Sequence, residues 1–184
     1  MKHCGTQTIE TQRLILRRMC RADAEAMYRN WASDPEVTRF LTWPAHESAA
    51  SSEKLLAIWE QNYENMDFYQ WGIELKALGE VIGSISVVRC DDAIEAASIG
   101  YCIGKRWWNQ GITSEALAAV IAFLFREVGC NRIEAQHDTC NPHSGDVMKK
   151  CGMQFEGVLR SAGRNNQGIC DLAQYAVLRS DREN

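Results

Sequence analysis

No apolar run in this 184-residue chain approaches the roughly 20 residues that a membrane-spanning helix needs, so no membrane association is expected. The opening MKHCGTQTIETQR lacks the apolar stretch of a secretory leader, and a cytoplasmic location is expected. Positive charge is not in excess: the formal net charge is −4. A phosphate backbone needs a basic face, so nucleic acid is not expected as a partner. Arg13, Arg17, Arg18 and Arg21 cluster in sequence, and they read as the exposed side of a strand and the turn after it. The eight cysteines contain no CxxC pair. Without a secretory signal they are expected as reduced thiols rather than a disulfide framework. His137, Cys140 and His143 stand three apart in HDTCNPH, a donor set that zinc accepts. No fourth ligand is evident and Pro142 interrupts the run, so no metal is expected.

What is present is a globular composition, 46% hydrophobic and 24% charged, without repeats, low-complexity tracts or a linker. A single domain over residues 1–184 is expected. TQRLILRRM alternates around Leu14 and Leu16 and reads as a first strand. Asp23 is placed to cap a helix through AEAMYRNWAS, with Met27 and Trp31 on one face, and Pro35 is expected to break that region. A second helix is expected over about 52–63, with Leu55, Leu56 and Trp59 together. QWGIEL, VIGSISVV and SIGYCI are β-rich and separated by turn signals, as in an antiparallel meander.

A long helix follows, capped by Thr113 or Ser114, striped by Leu117, Val120, Ile121 and Leu124, and ended by Gly129. RIEAQ is a fifth strand. Asn141 and Pro142 look like an N-cap and a first helical position, and Gly152 a stop. FEGVLR and DLAQYAVL flank a turn at NNQG. The predicted class is α+β: about seven strands in a mixed, mostly antiparallel sheet, with about four helices on both faces. The link from the fourth strand through the long helix to the fifth is the expected parallel crossover.

YCIGKRWWNQGITSEALAAVIAFLF carries the chemistry. A strand runs into a glycine-bearing turn that opens a long helix. The first N–H groups of a helix have no partner within it, and its dipole is positive there. Gly111 lets the backbone approach a ligand closely. Such a turn suits an anion such as a pyrophosphate. A plain strand-to-helix turn reads the same way, and no Walker lysine follows a glycine-rich loop.

This segment resembles the acetyl-CoA pyrophosphate turn of the GNAT superfamily of N-acetyltransferases, in its RimJ/RimL-like branch. That branch acetylates the N-termini of ribosomal proteins. ETQRLILRRM resembles its opening strand, GEVIGSISV its second and third, and IGYCIGKRWWNQGITSEAL its fourth strand and turn. NRIEAQHDTCNPHSGDVMKKCGMQFEGVLR resembles the fifth strand, the next helix and the sixth strand. The superfamily turn usually reads Gln/Arg-x-x-Gly-x-Gly/Ala; here Trp108, Gly111 and Thr113 hold those places.

The resemblance implies that acetyl-CoA is the acetyl donor. Backbone groups of Trp108, Asn109, Gln110, Gly111, Ile112, Thr113 and Ser114 would hold its pyrophosphate, and Cys102 and Ile103 would pair with its pantetheine arm. Asn141 and Ser144 match the branch's Asn-x-x-Ser element, with Ser144 a proton donor to the departing thiolate and Asn141 a cofactor contact. Asn141 would also be a good N-cap without any such function.

The base is less defined, because Ser98 stands where many members carry a glutamate. Glu74 and Glu134 are ranked first, ahead of Glu95 and Glu156, although a strand glutamate is commonly a solvated side chain. Trp43, Phe68, Tyr69 and Trp71 fall where the branch forms its acceptor pocket, and ordinary core packing is the competing reading. The expected reaction is direct attack of a primary amine, on a protein N-terminus or a small molecule, on the thioester. A non-catalytic acyl-CoA-binding or regulatory module is the alternative. Monomer and homodimer are both open.

Overall fold

The computed structural model describes residues 1–182. The last two positions of the expected 1–184 domain lie outside the described residues. The alternation around Leu14 and Leu16 becomes a strand, Leu14–Arg17 (β2), whose two leucines are fully buried. An eighth strand was not anticipated. Ile9–Glu10 (β1) pairs antiparallel with β2, two residues being too short to leave a periodic signal.

Asp23 does not cap the first helix through its side chain. Its carboxylate accepts instead from the Cys20 N–H at 2.9 Å and from the Arg17 guanidinium at 2.8 and 2.9 Å. The helix proper, Ala24–Met27 (α1), widens into π turns over Tyr28–Ala32, and Met27 and Trp31 are buried as expected. The helical stretch ends at Ala32, before Pro35 as expected, and Pro35 also starts a new helix. It occupies the first turn of Pro35–Thr38 (α2), where its missing N–H is not needed, and Asp34 accepts from the Glu36 N–H at 2.8 Å. Ala49–Asn62 (α3) begins three residues before the expected start.

The meander is Gln70–Leu75 (β3), Glu80–Asp91 (β4) and Ala96–Ile103 (β5). The long helix Ile112–Phe123 (α4) continues as π turns to Val128 and stops at Gly129, at φ +83°. Its predicted stripe, Leu117, Val120, Ile121 and Leu124, has no exposed surface. Burial of this kind stabilises by roughly 1.5–3 kcal/mol per side chain. Arg132–Asp138 (β6), Pro142–Lys150 (α5), Gln154–Asn165 (β7) and Gly168–Leu178 (β8) complete the chain.

The eight strands form one sheet in the order β1-β2-β3-β4-β5-β6-β8-β7. Among the described strands only β5 and β6 run parallel, joined through α4 as the crossover rule requires. The main core lies between the sheet and α4 and α5. A second cluster, with Met19, Met27, Trp31, Leu56 and Val81, lies under α1 and α3 on the opposite face.

Candidate functional site

The parallel pair is also where the sheet opens. β5 and β6 are in register from Ala96 with Arg132 to Ile99 with Ala135, and no further. β5 continues to Ile103 and β6 to Asp138, so each presents an unpaired edge to the gap between them. On its other side β5 remains paired with β4, Ser84 opposite Cys102. Such an edge can take an extended amide chain as an added strand. The Cys102 thiol points away to Ser84 Oγ at 3.5 Å, and burial raises its pKa. The Ile103 carbonyl accepts from Trp108 Nε1 at 2.9 Å, so Trp108 braces this strand end.

At the end of β5 the chain makes a short turn at Lys105–Trp107 and enters α4. The cap is Gly111, in the left-handed conformation at φ +71°, and no side chain caps the helix. The expected caps, Thr113 and Ser114, lie inside the first turn. Trp108, Asn109, Gln110 and Gly111 are exposed, and a Cβ at Gly111 would meet only the Arg13 guanidinium, 3.7 Å away. Ile112 is buried under the turn, while Thr113 and Ser114 are half-buried. Arg13 crosses to this turn, donating to the Gln110 carbonyl at 2.9 Å and to Glu115 at 2.6 Å. The helix mouth is therefore open, without a side-chain cap, and flanked by Arg13. Its donor chemistry fits the pyrophosphate of an acyl-CoA.

Ser144 and Asn141 stand at the start of α5, beyond the end of β6. Ser144 Oγ donates to Tyr101 Oη at 3.1 Å, and Tyr101 Oη donates to the Ser144 carbonyl at 2.9 Å. Tyr101 lies on the part of β5 that β6 has left, and burial raises its phenol well above the usual range. Tyr101 was not singled out in the sequence. Its only sequence signal is its place in SIGYCI, two residues beyond Ile99. Asn141 occupies the N-cap position without capping through its side chain. His137 is on the same face of β6 as Ala135. Its Nδ1 meets the Asp138 carbonyl at 2.8 Å, while its buried Nε2 has no partner and faces Gly145.

Neither expected base is uncommitted. Glu74 pairs with Arg17 at 2.5 Å on β3, remote from the gap in sheet order. Glu134 faces Ser98 within the paired part of β5 and β6, and accepts from Ser98 Oγ at 2.6 Å, Arg89 at 3.0 Å and Arg132 at 3.2 Å. Burial raises its pKa, but those hydrogen bonds outweigh burial and hold it below the ordinary carboxylate value. Glu156 is likewise held by Arg132.

The aromatic pocket is also corrected in part. Tyr69 and Trp71 are 1% and 0% exposed and pack on Phe123 of α4, inside the main core. Tyr69 extends β3 by one position through the Val87 N–H on its carbonyl at 3.0 Å, and it shares with Trp71 the face that packs on α4. Phe68 packs on Tyr63, and Trp43 stacks near His46 beside the second cluster.

A cleft of about 410 Å³ lies elsewhere, between the end of α2, the turn after β6 and the β7–β8 hairpin. Arg39, Phe40, Asp138, Cys140, Ile169 and Asp171 are among its walls. Asn166 holds the hairpin tip to the α2–α3 loop, donating to the carbonyls of Thr38 and Trp43 at 2.8 and 2.7 Å. Asp138 is 7% exposed and accepts from the Cys140 N–H and from Asn165 Nδ2 at 2.8 and 2.7 Å. Burial raises its pKa, but these donors outweigh it and keep the group ionised at neutral pH. In the sequence His137 and Cys140 are weighed with His143 as zinc donors, and a cleft beside Asp138 is not anticipated. Among the described residues, no group of His, Cys, Asp and Glu is arranged to hold a metal. None of the described helices is long and apolar enough to cross a membrane.

Comparison with known proteins agrees with this geometry. Residues 13–154 match the acetyltransferase (GNAT) domain family. The uncharacterized N-acetyltransferase YoaA of Bacillus subtilis is 33% identical over 171 residues, covering 93% of this chain and 96% of that protein. The [ribosomal protein uS5]-alanine N-acetyltransferase of Escherichia coli is 36% identical over 81 residues, 42% of this chain and 41% of that one. A GNAT-family acetyltransferase structure from Bacillus anthracis superposes with a TM-score of 0.82 at 24% identity, covering 95% of this chain and 99% of that chain. A further neighbour, the microcin C7 self-immunity acetyltransferase MccE solved with acetyl-CoA and AMP, has a TM-score of 0.82 at 22% identity, with 91% and 93% coverage. The chain belongs to the GNAT family, and it is an N-acetyltransferase that takes its acetyl group from acetyl-CoA.

Proposed function

We propose that the acceptor is the free N-terminus of a protein, of the ribosomal-protein type, and that it enters through the cleft between α2, the turn after β6 and the β7–β8 hairpin. The observation that carries this reading is the early parting of β5 and β6. It leaves Tyr101 on β5 free to meet Ser144, and leaves β6 unpaired with β5 from Gln136 to Asp138, a wall residue of the cleft. Acetyl-CoA, when bound, supplies the thioester carbon that an amine attacks. The residues assigned to it are the turn Trp108–Ser114, the edge at Cys102 and Ile103, and Asn141.

Ser144 holds a proton on Oγ in a hydrogen bond to the Tyr101 hydroxyl; it would deliver that proton to the departing thiolate and regain one from the nitrogen of the attacking amine. Tyr101 keeps the Ser144 hydroxyl aimed by its second bond, to the Ser144 carbonyl. The ionised Asp138 attracts an ammonium group into the cleft. The similarity to the uS5-alanine enzyme supports a peptide acceptor. A small-molecule amine is the second reading, supported by the modest size of the cleft. A cytoplasmic setting accords with eight free cysteines.

The test is acetyl transfer from radiolabelled acetyl-CoA to two panels. One holds peptides with free or blocked N-termini; the other holds amino acids and polyamines. Transfer to free N-termini and not to blocked ones is expected. Transfer confined to small amines would overturn the peptide reading.

A further inference from the structure

We propose that Cys140 and Cys170 form a redox-modification site on the cleft wall, where a hydroperoxide converts the two thiols into a disulfide. Three observations place them together. First, β6 and β8 pair antiparallel from Arg132 with Leu178 through Asp138 with Leu172. Thr139 extends that pairing by donating its N–H to the Asp171 carbonyl at 3.1 Å. Cys140 follows in the turn that the Asn141 N–H closes on the Asp138 carbonyl at 2.8 Å, and Cys170 precedes Asp171 on β8, so both lie just beyond the last paired position. A disulfide joins residues whose Cα atoms lie about 4.4–6.8 Å apart, a separation that a turn beside the end of a strand pair can reach.

Second, both thiols adjoin one carboxylate, that of Asp138. The Cys140 N–H donates to its Oδ1 at 2.8 Å. Asn165 Nδ2, 2.7 Å from its Oδ2, lies 3.6 Å from the Cys170 sulfur. Third, both cysteines line the same cleft, which a small oxidant enters freely. Both are free thiols, Cys140 exposed and Cys170 half-buried.

This exposure difference sets the order of events. Cys140 is the more exposed of the two and is the first nucleophile, while burial, then the charge of Asp138, raises the pKa of Cys170. The Cys140 thiolate attacks one oxygen of hydrogen peroxide. An S–O bond forms, the O–O bond breaks, and hydroxide leaves to take up the proton that Cys140 released. The Cys170 sulfur then attacks the Cys140 sulfenic sulfur. The S–S bond forms, the S–O bond breaks, and the departing oxygen leaves as water with the Cys170 proton. The two thiols lose two electrons in total, and one peroxide becomes two waters. The bond ties the turn before α5 to the β7–β8 hairpin and so narrows the cleft. Its effect on transfer rests on the reading of this cleft as the acceptor entrance.

The test treats the purified full chain with hydrogen peroxide, quenches it with catalase, and maps its peptides without reduction. A Cys140–Cys170 linked peptide, lighter by two hydrogens, is expected. Transfer to the best peptide acceptor should fall about tenfold, with acetyl-CoA affinity retained and full recovery in dithiothreitol. Cys170→Ser and Cys140→Ser, each compared with its own untreated activity, should show no linked peptide and no dithiothreitol-reversible loss. Oxidation of the wild type to separate sulfinic acids, or linkage of either thiol to another cysteine, would overturn the proposal. A linked peptide with undiminished transfer would leave the thiol site standing and overturn the acceptor reading of the cleft.

Discussion

Ser144 owes its position to two strands and a helix, since Tyr101 can reach it only where β6 has left β5. If Ser144 is the proton donor to the thiolate, its loss acts on turnover. Ser144→Ala is expected to lower kcat about 100-fold, with acetyl-CoA affinity within about twofold by calorimetry; unchanged kcat would remove Ser144 from the reaction. Asp138 combines structure with substrate attraction. Asp138→Asn sets an amide N–H₂ against either the Cys140 N–H or the Asn165 amide, both of which are donors. A loss of about 1–3 kcal/mol in stability follows, read as a lower urea midpoint. In the folded variant the KM for a peptide acceptor should rise while the KM for acetyl-CoA stays put. The aromatic residues show the opposite outcome at this scale. Tyr69 and Trp71 looked like pocket material by residue type, yet strand alternation points them at Phe123.

At the scale of elements, the open end of α4 decides binding. Gly111 holds φ +71°, a conformation that costs other residues about 1–2 kcal/mol. Gly111→Ala should bind acetyl-CoA somewhat more weakly. Gly111→Glu adds a carboxylate at the anion site, and affinity should fall at least about 100-fold, with an unchanged circular dichroism spectrum. Equal affinity in both variants would detach the turn from the pyrophosphate. The second deciding element is the parallel pair itself. Its four-residue register leaves β5 an edge, and no feature of SIGYCI or RIEAQ announces where pairing stops.

For the whole molecule, acid sensitivity follows from paired carboxylates. Asp23, Glu115, Glu134 and Asp138 all sit below their ordinary pKa values: burial raises each, but hydrogen bonds, several of them from arginine, outweigh it. A depressed carboxylate pKa means the unfolded chain binds protons more readily. The stability these groups contribute is present above their unfolded values and is lost as pH falls through the folded ones. His46, lowered by burial, acts in the same direction from about pH 6 downward. The melting temperature should hold from pH 8 to about pH 6 and fall steeply below about pH 4; a flat profile to pH 3 would contradict the pairing.

Local physics was readable from residue order alone. Period-two runs became strands, the apolar stripe of α4 became core, and Gly129 and Gly152 ended helices because left-handed backbone favours glycine. The glycine-bearing turn and the Asn-x-x-Ser element were legible for the same reason, as short contiguous segments. What depended on distant segments was decided only by folding: β1, the commitment of Glu74 to Arg17 and of Glu134 to Ser98, and the Ser144–Tyr101 bond. So was the cleft around Asp138, assembled from α2, β6 and the last hairpin. A side chain's type says what it can donate or accept. Only packing says which partner claims it first.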